Sequence, residues 1–181
     1  SVSAFWPRRA RWLEDGLRPG CECLPVRYRE GTMQLGHVGI ALAIAWLDPR
    51  PEVFAIVGAA QFLPNADSLV IRAGWAKPEF HGTWSHSLVF CLGVTLLAVI
   101  AFGPWLGCLA GLSLAAHVVA DMPTDTGIPL LLPFSRRRFS LALWTNSGYW
   151  GRAMYVGYYR QPWAWILEGS VFAVVVWLYA R

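Results

Sequence analysis

The chain has 181 residues, of which 56% are hydrophobic and 14% charged, with 11 tryptophans and a formal net charge of +4; its mean hydropathy is +0.41. A soluble domain carries about 25% charged residues, so this composition excludes an ordinary water-soluble globule and reads as a small integral membrane protein of one domain. The positive balance does not point to nucleic acid, because the aromatics lie in apolar runs and at their ends, where flanking Lys and Arg orient membrane segments.

Residues 1–32 mix Arg8, Arg9, Arg11, Arg18, Arg27 and Arg29 with Trp, Pro and Gly and hold no sustained periodicity. They read as a basic tail, with room for a short amphipathic helix around Phe5–Leu17, and no apolar stretch of the secretory kind follows the arginines before Met33. Cys21 and Cys23 form a CxC pair with no further ligands nearby, and Cys91 and Cys108 sit in apolar segments where pairing is not expected. The structured core is expected to begin near Met33.

Five apolar segments follow. The first, about Leu35–Leu47, is broken by Asp48-Pro49-Arg50-Pro51-Glu52; the second, about Val53–Leu63, stops at Pro64, since proline cannot continue a helix interior. Both fall short of the roughly 20 residues that cross a bilayer, so they either lengthen into their flanks or form a shallow hairpin. A polar loop, Asn65–Ser85, leads to Ser87–Phe102, which ends at Gly103-Pro104, and then to Trp105–Asp121. A long mixed loop, Met122–Pro162, carries Arg136, Arg137 and Arg138; the last segment, Trp163–Ala180, is apolar apart from Glu168 and long enough to span. The pattern predicts an all-α fold, a small polytopic membrane bundle of about five helices.

The short connections make neighbouring segments antiparallel. An up-down-up-down order then brings one set of ends to a single membrane face: His37, Asp67, His81 with His86, and His117 with Asp121. All four histidines of the chain lie there. His117 and Asp121 are four apart and project from one side of a helix, and imidazole with carboxylate suits zinc, manganese or iron. A carboxylate inside an apolar helix needs a compensating partner, which a cation supplies. Each residue alone has an ordinary reading: a terminal histidine at the interface, Asp67 as a turn residue, Ser85 or Ser87 as a helix cap, or His117 bonded only to Asp121. The convergence of the whole set favours a metal site.

Leu63-Pro64-Asn65-Ala66-Asp67, then His81-Gly82-Thr83-Trp84-Ser85-His86-Ser87, then His117-x-x-x-Asp121 resembles the membrane-bound, metal-dependent hydrolases of the LexA-regulated YdjM type. That pattern reads LPDxD, H-R-[GT]-x-T-H-S and H-x-x-x-D after a histidine near the N-terminus, and the resemblance runs from about Met33 to Ser135. Asn65 stands where the pattern has its first Asp and Gly82 where it has Arg; Asn65 offers a carbonyl oxygen with less charge. A more distant similarity to zinc-dependent phospholipase C implies a phosphoester or lipid substrate; a bacterial or archaeal cell membrane is the expected location and membrane lipid the expected partner, with no nucleic acid.

The resemblance implies metal-assisted hydrolysis. His37, Asp67, His86, His117 and Asp121 are then the expected ligands of a divalent transition metal, zinc first. His81 is a further ligand or a proton carrier, and Asp125 and Glu79 are candidate bases or partners of ligating histidines. Arg136, Arg137 and Arg138 are candidates for holding a phosphate headgroup, or else a basic membrane anchor. The rival reading is a non-enzymatic membrane metal-binding or structural protein, whose site would be closed rather than open to water. A transporter fits less well, for lack of an internal repeat.

Basic residues set the expected orientation. With the tail discounted, the site face carries Arg72, Lys77, Arg136, Arg137, Arg138, Arg152 and Arg160, and the other face only Arg50 and Arg181. Basic loops stay in the cytoplasm, so the site is expected to face it.

Overall fold

The computed structural model describes residues 35–77, 80–143 and 156–181. The tail with its arginines and its CxC pair, Glu79 and Arg152 lie outside the described residues. The fold is all-helical, as the segments predict. The long helices are α1 (Leu35–Ala45), α2 (Pro51–Phe62), α4 (Leu88–Phe102), α5 (Pro104–Asp121) and α7 (Pro162–Tyr179). Two short ones, α3 (Asp67–Arg72) and α6 (156–159), lie at the site end.

Proline starts helices here as well as ending them. Pro51, Pro104 and Pro162 each open a helix, where the missing N–H has no intrahelical partner to lose. This is why α2, α5 and α7 begin one or two residues before the apolar runs do. The segment expected as a polar loop, Asn65–Ser85, is more ordered than its composition suggests. It holds α3 and 3-10 turns at Pro64–Ala66 and Trp84–His86. His86 closes the second of these turns and precedes α4. Ser87 is the helix cap, its Oγ accepting from Phe90 N at 3.2 Å.

Helix α5 is the axis of the bundle, touching α1, α2 and α4, while α7 packs on α1. Leu114 and Val118 of α5 are buried against Ala60, Cys91 and Ala98, and Leu109 against Ile44, Val53 and Val57. Glycines make the α4–α5 contact close. A methyl group on Gly107 would stand 2.5 Å from the backbone of Val99, and one on Gly111 2.6 Å from the Thr95 side chain. Small residues four apart allow this approach between membrane helices, where dispersion contacts carry the association. The reversal between the two helices is made at Gly103, whose φ of 87° suits a residue without Cβ.

At the end of the bundle away from the histidines the two tight turns are joined. Trp105 Nε1 donates to Asp48 Oδ2 at 2.8 Å, and Arg50 clasps the same carboxylate. The opposite ends of α1, α2, α4 and α5 therefore share a face, as the short connections require. Helices α5 and α7 are long and apolar enough to cross a membrane; α2 and Pro64–Arg72 reach that length only together, as a pair bent by 53° that has the form of a broken span or a re-entrant loop, the bend falling at Pro64. Large apolar side chains such as Leu92, Leu96, Ile100 and Val176 face outward, as a lipid-contacting surface does.

Candidate metal centre

Two helix ends and one turn deliver the cluster. His37 lies in the first turn of α1, His117 and Asp121 in the last turns of α5, and His86 at the end of the turn before α4. All four are buried, with exposures of 1%, 0%, 3% and 1% for His37, His117, Asp121 and His86. Ligand atoms of His37, His117 and Asp121 lie within 4.8 Å of one another. His86 joins them, its Nε2 3.2 Å from His117 Nε2 and 3.1 Å from Asp121 Oδ2. His37 Nε2 is 3.2 Å from Asp121 Oδ1, and the His37 and His117 rings stack at 4.2 Å.

Counting protons tests whether this cluster fits a cation. Ser85 Oγ donates to Asp67 Oδ2 at 2.7 Å and faces His86 Nδ1 at 3.0 Å. A hydroxyl has one proton, so Ser85 accepts the His86 Nδ1 proton. In the neutral ring, His86 Nε2 then turns a lone pair toward a carboxylate oxygen 3.1 Å away. Two lone-pair atoms at that distance in a buried site require a positive charge beside them. A divalent metal would supply it, and a donor set of imidazoles with one carboxylate suits zinc, manganese or iron. His117 Nδ1 has no hydrogen-bond partner among the described residues.

Asp67 stands differently from the expectation that it ligates. Its Oδ1 is 2.6 Å from His81 Nδ1, and its Oδ2 accepts from Gly82 N at 3.1 Å as well as from Ser85. The carboxylate is thus taken up by the 81–85 segment and meets the cluster through Ser85 and His86. Gly82, with φ of 65°, adopts a left-handed turn and aims its N–H at that oxygen. His81 is buried and edge-on to His86 at 5.6 Å. Asn65, beside Pro64, has its Oδ1 buried with no partner among the described residues.

The outer candidates separate. Asp125 is exposed on the loop after α5. Arg138 is occupied by the loop itself, donating to Thr126 O and Gly127 O at 3.0 Å each, and Arg137 lies over the Phe139 ring at 5.6 Å. Arg136 and Arg138 nevertheless line one groove of about 480 Å³ with Lys77, Phe80, Trp84 and Leu132. The three arginines therefore do not act as a single patch.

Residues given no role in the sequence reading of the site complete the surroundings. Gln61 of α2 contacts His37 Nδ1 at 3.0 Å, and Ser113 of α5 contacts Gln61 at 2.7 Å. Glu168 of α7 accepts from Tyr159 at 2.8 Å. Burial, with the Glu168 carboxylate beside it, pushes the neighbouring Tyr158 hydroxyl up and keeps it protonated. The available signal was a lone amide or hydroxyl inside an apolar run. A sequence model described as YdjM inner membrane protein matches residues 33–181. No curated protein and no solved structure matches the chain.

Proposed function

The chain belongs to the YdjM inner membrane protein family, and from that premise we propose that it is a membrane-bound, metal-dependent hydrolase acting on a phosphoester or lipid substrate. The observation that carries this reading is the buried Asp121 carboxylate with three imidazole nitrogens at 3.1–3.3 Å. His37, His86, His117 and Asp121 would hold the ion. A bound divalent metal supplies Lewis-acid polarisation of the scissile group and acidifies a water.

The remaining residues orient and move protons. Asp67 accepts a hydrogen bond from His81 Nδ1–H, which leaves Nε2 as the basic nitrogen of that ring. His81 is therefore the proposed proton carrier, and Asp67 with Ser85 fixes the tautomers of His81 and His86. The groove walled by Phe80 and Trp84 shares the 80–86 segment with these histidines and carries Lys77, Arg136 and Arg138. Its cations suit a phosphate headgroup and its apolar walls suit the adjoining chain. Basic residues around the site end support a cytoplasmic orientation and a substrate drawn from the inner leaflet.

Elemental analysis of the purified protein, with hydrolysis assays on phospholipids and generic phosphodiesters, tests the reading. Stoichiometric zinc and metal-dependent turnover are expected; protein that takes up no transition metal overturns it. The near-complete burial of the ligands favours a second reading, a closed structural metal site, which metal without turnover on any substrate of the panel would support. For orientation, a cysteine placed near Arg137 in a background lacking the native cysteines is expected to be shielded from an impermeant thiol reagent in intact cells. Labelling before lysis would reverse it.

A further inference from the structure

Behind His37, on the side away from Asp121, two uncharged polar side chains sit in the apolar interior. Gln61 and Ser113 are both 0% exposed. Gln61 Nε2 faces His37 Nδ1 at 3.0 Å, Gln61 Oε1 faces Ser113 Oγ at 2.7 Å, and Ser113 Oγ faces Val57 O at 3.0 Å. Burying an amide and a hydroxyl among apolar helices is unfavourable unless their hydrogen bonds are made. The way the protons are shared is therefore informative.

With the amide nitrogen toward His37, Nδ1 has to be the acceptor. The ring proton then sits on Nε2, which faces Asp121 Oδ1 at 3.2 Å. A protonated ring nitrogen does not ligate a metal. In the same arrangement Ser113 faces two acceptors with a single proton, so one of its two short contacts goes without. Turning the amide by half a turn exchanges oxygen and nitrogen at nearly the same positions. Oε1 then accepts the His37 Nδ1 proton, Nε2 donates to Ser113 Oγ, and Ser113 donates to Val57 O. All three contacts now hold one proton and one acceptor. His37 Nε2 is left with a lone pair pointing at the cluster.

We propose that Gln61, oriented by Ser113 and the Val57 carbonyl, is a positioning residue that holds His37 as the Nδ1–H tautomer and so commits its Nε2 to the metal. The inference rests on the metal-binding reading above. It assigns to an uncharged relay across α1, α2 and α5 the task that Asp67 and Ser85 perform for His86 on the other side.

Zinc affinity by chelator competition, and the ¹⁵N shifts of histidine-labelled, zinc-loaded protein, test it with four proteins: wild type, Gln61→Met, Gln61→Glu and Ser113→Ala. Gln61→Met keeps the volume without an acceptor. It is expected to weaken zinc binding by roughly 10–100-fold, the loss typical of an outer partner of a ligand, and to remove the single Nδ1–H signature of His37. Gln61→Glu keeps an oxygen toward Nδ1 and is expected to retain both the signature and affinity equal to or above wild type. Ser113→Ala, which frees the amide to turn, falls between. Gln61→Met that binds zinc as tightly as wild type, or Gln61→Glu that loses zinc as Gln61→Met does, overturns the relay while the metal site stands. Wild-type protein that binds no zinc overturns the metal reading and the relay with it.

Discussion

The two flanks of the histidine cluster are backed by different chemistry. On one, a carboxylate, Asp67, stands behind His81 and, through Ser85, behind His86. On the other, an amide and a hydroxyl stand behind His37. A charged acceptor both orients an imidazole and makes it more basic, whereas a neutral acceptor only orients it. The flank that faces the proposed proton carrier has the charge. The flank enclosed by three helices has none, in keeping with the penalty for a further buried ion.

The largest effect is expected where the flanks meet. His117→Ala or Asp121→Ala should cost more bound metal than any change behind the ligands, exceeding the roughly 10–100-fold loss of an outer partner. Elemental analysis of folded protein reads this directly, and unchanged stoichiometry in both variants would remove the site from which the comparison starts.

Next comes the comparison itself. Asp67→Asn replaces an acceptor of two further donors, Gly82 N and Ser85 Oγ, and hydrogen bonds to a charged group contribute about 1.5–3 kcal/mol each. It should lower both the unfolding midpoint and the zinc affinity, by more than Gln61→Met does. Equal losses measured side by side would show that charge makes no difference between the flanks.

A smaller change is expected from adding charge. Asn65 Oδ1 is buried with no partner among the described residues, and Asn65→Asp should raise zinc affinity or hydrolytic rate by up to about tenfold, about 1.4 kcal/mol. A clear loss of both in folded protein would mean that the chain has adapted to the amide.

The smallest effect belongs to the far turns, the control for all of these. Hydrogen bonds from Arg50 and Trp105 hold the Asp48 carboxyl down from 3.8 to about 2. A lowered carboxyl contributes stability that is present above its ordinary value and lost as pH falls through its folded one, here from 3.8 to about 2. This carboxylate is half-buried at the surface, more than ten residues along the chain from any ligand, so Asp48→Asn should flatten only that acid dependence in a melting series and leave zinc affinity unchanged. A change in metal content would show that the turns and the cluster are coupled.

The two flanks also differ in how far the sequence displays them. The charged flank lies within residues 67–86, one short stretch whose His, Asp and Ser stand out against apolar neighbours. Its members were legible, though not their division of labour. Asp67 reads as a ligand by type, yet local turn geometry at Gly82 and Trp84–His86 delivers three donors to it first. The neutral flank joins Gln61 to Ser113 across 52 positions. Neither residue type suggests a metal, and only the packing of α2 on α5 brings them to His37. The apolar runs and prolines disclosed the long helices, because those signals are local. Helix α3 escaped notice because six residues are too few to display a period.

The glycine seam between α4 and α5 bears on dimensional tolerance. Gly107 precedes His117 by ten positions, roughly 15 Å along a helix at 1.5 Å per residue. Metal–ligand distances tolerate errors of only about 0.2 Å, a small fraction of one residue's rise. With Gly107 seated on the Val99 backbone, sliding α5 by one residue would bring a side chain into that contact. The seam is in effect a gauge block: it sets, from deep in the apolar layer, the height at which His117 and Asp121 are presented at the membrane face.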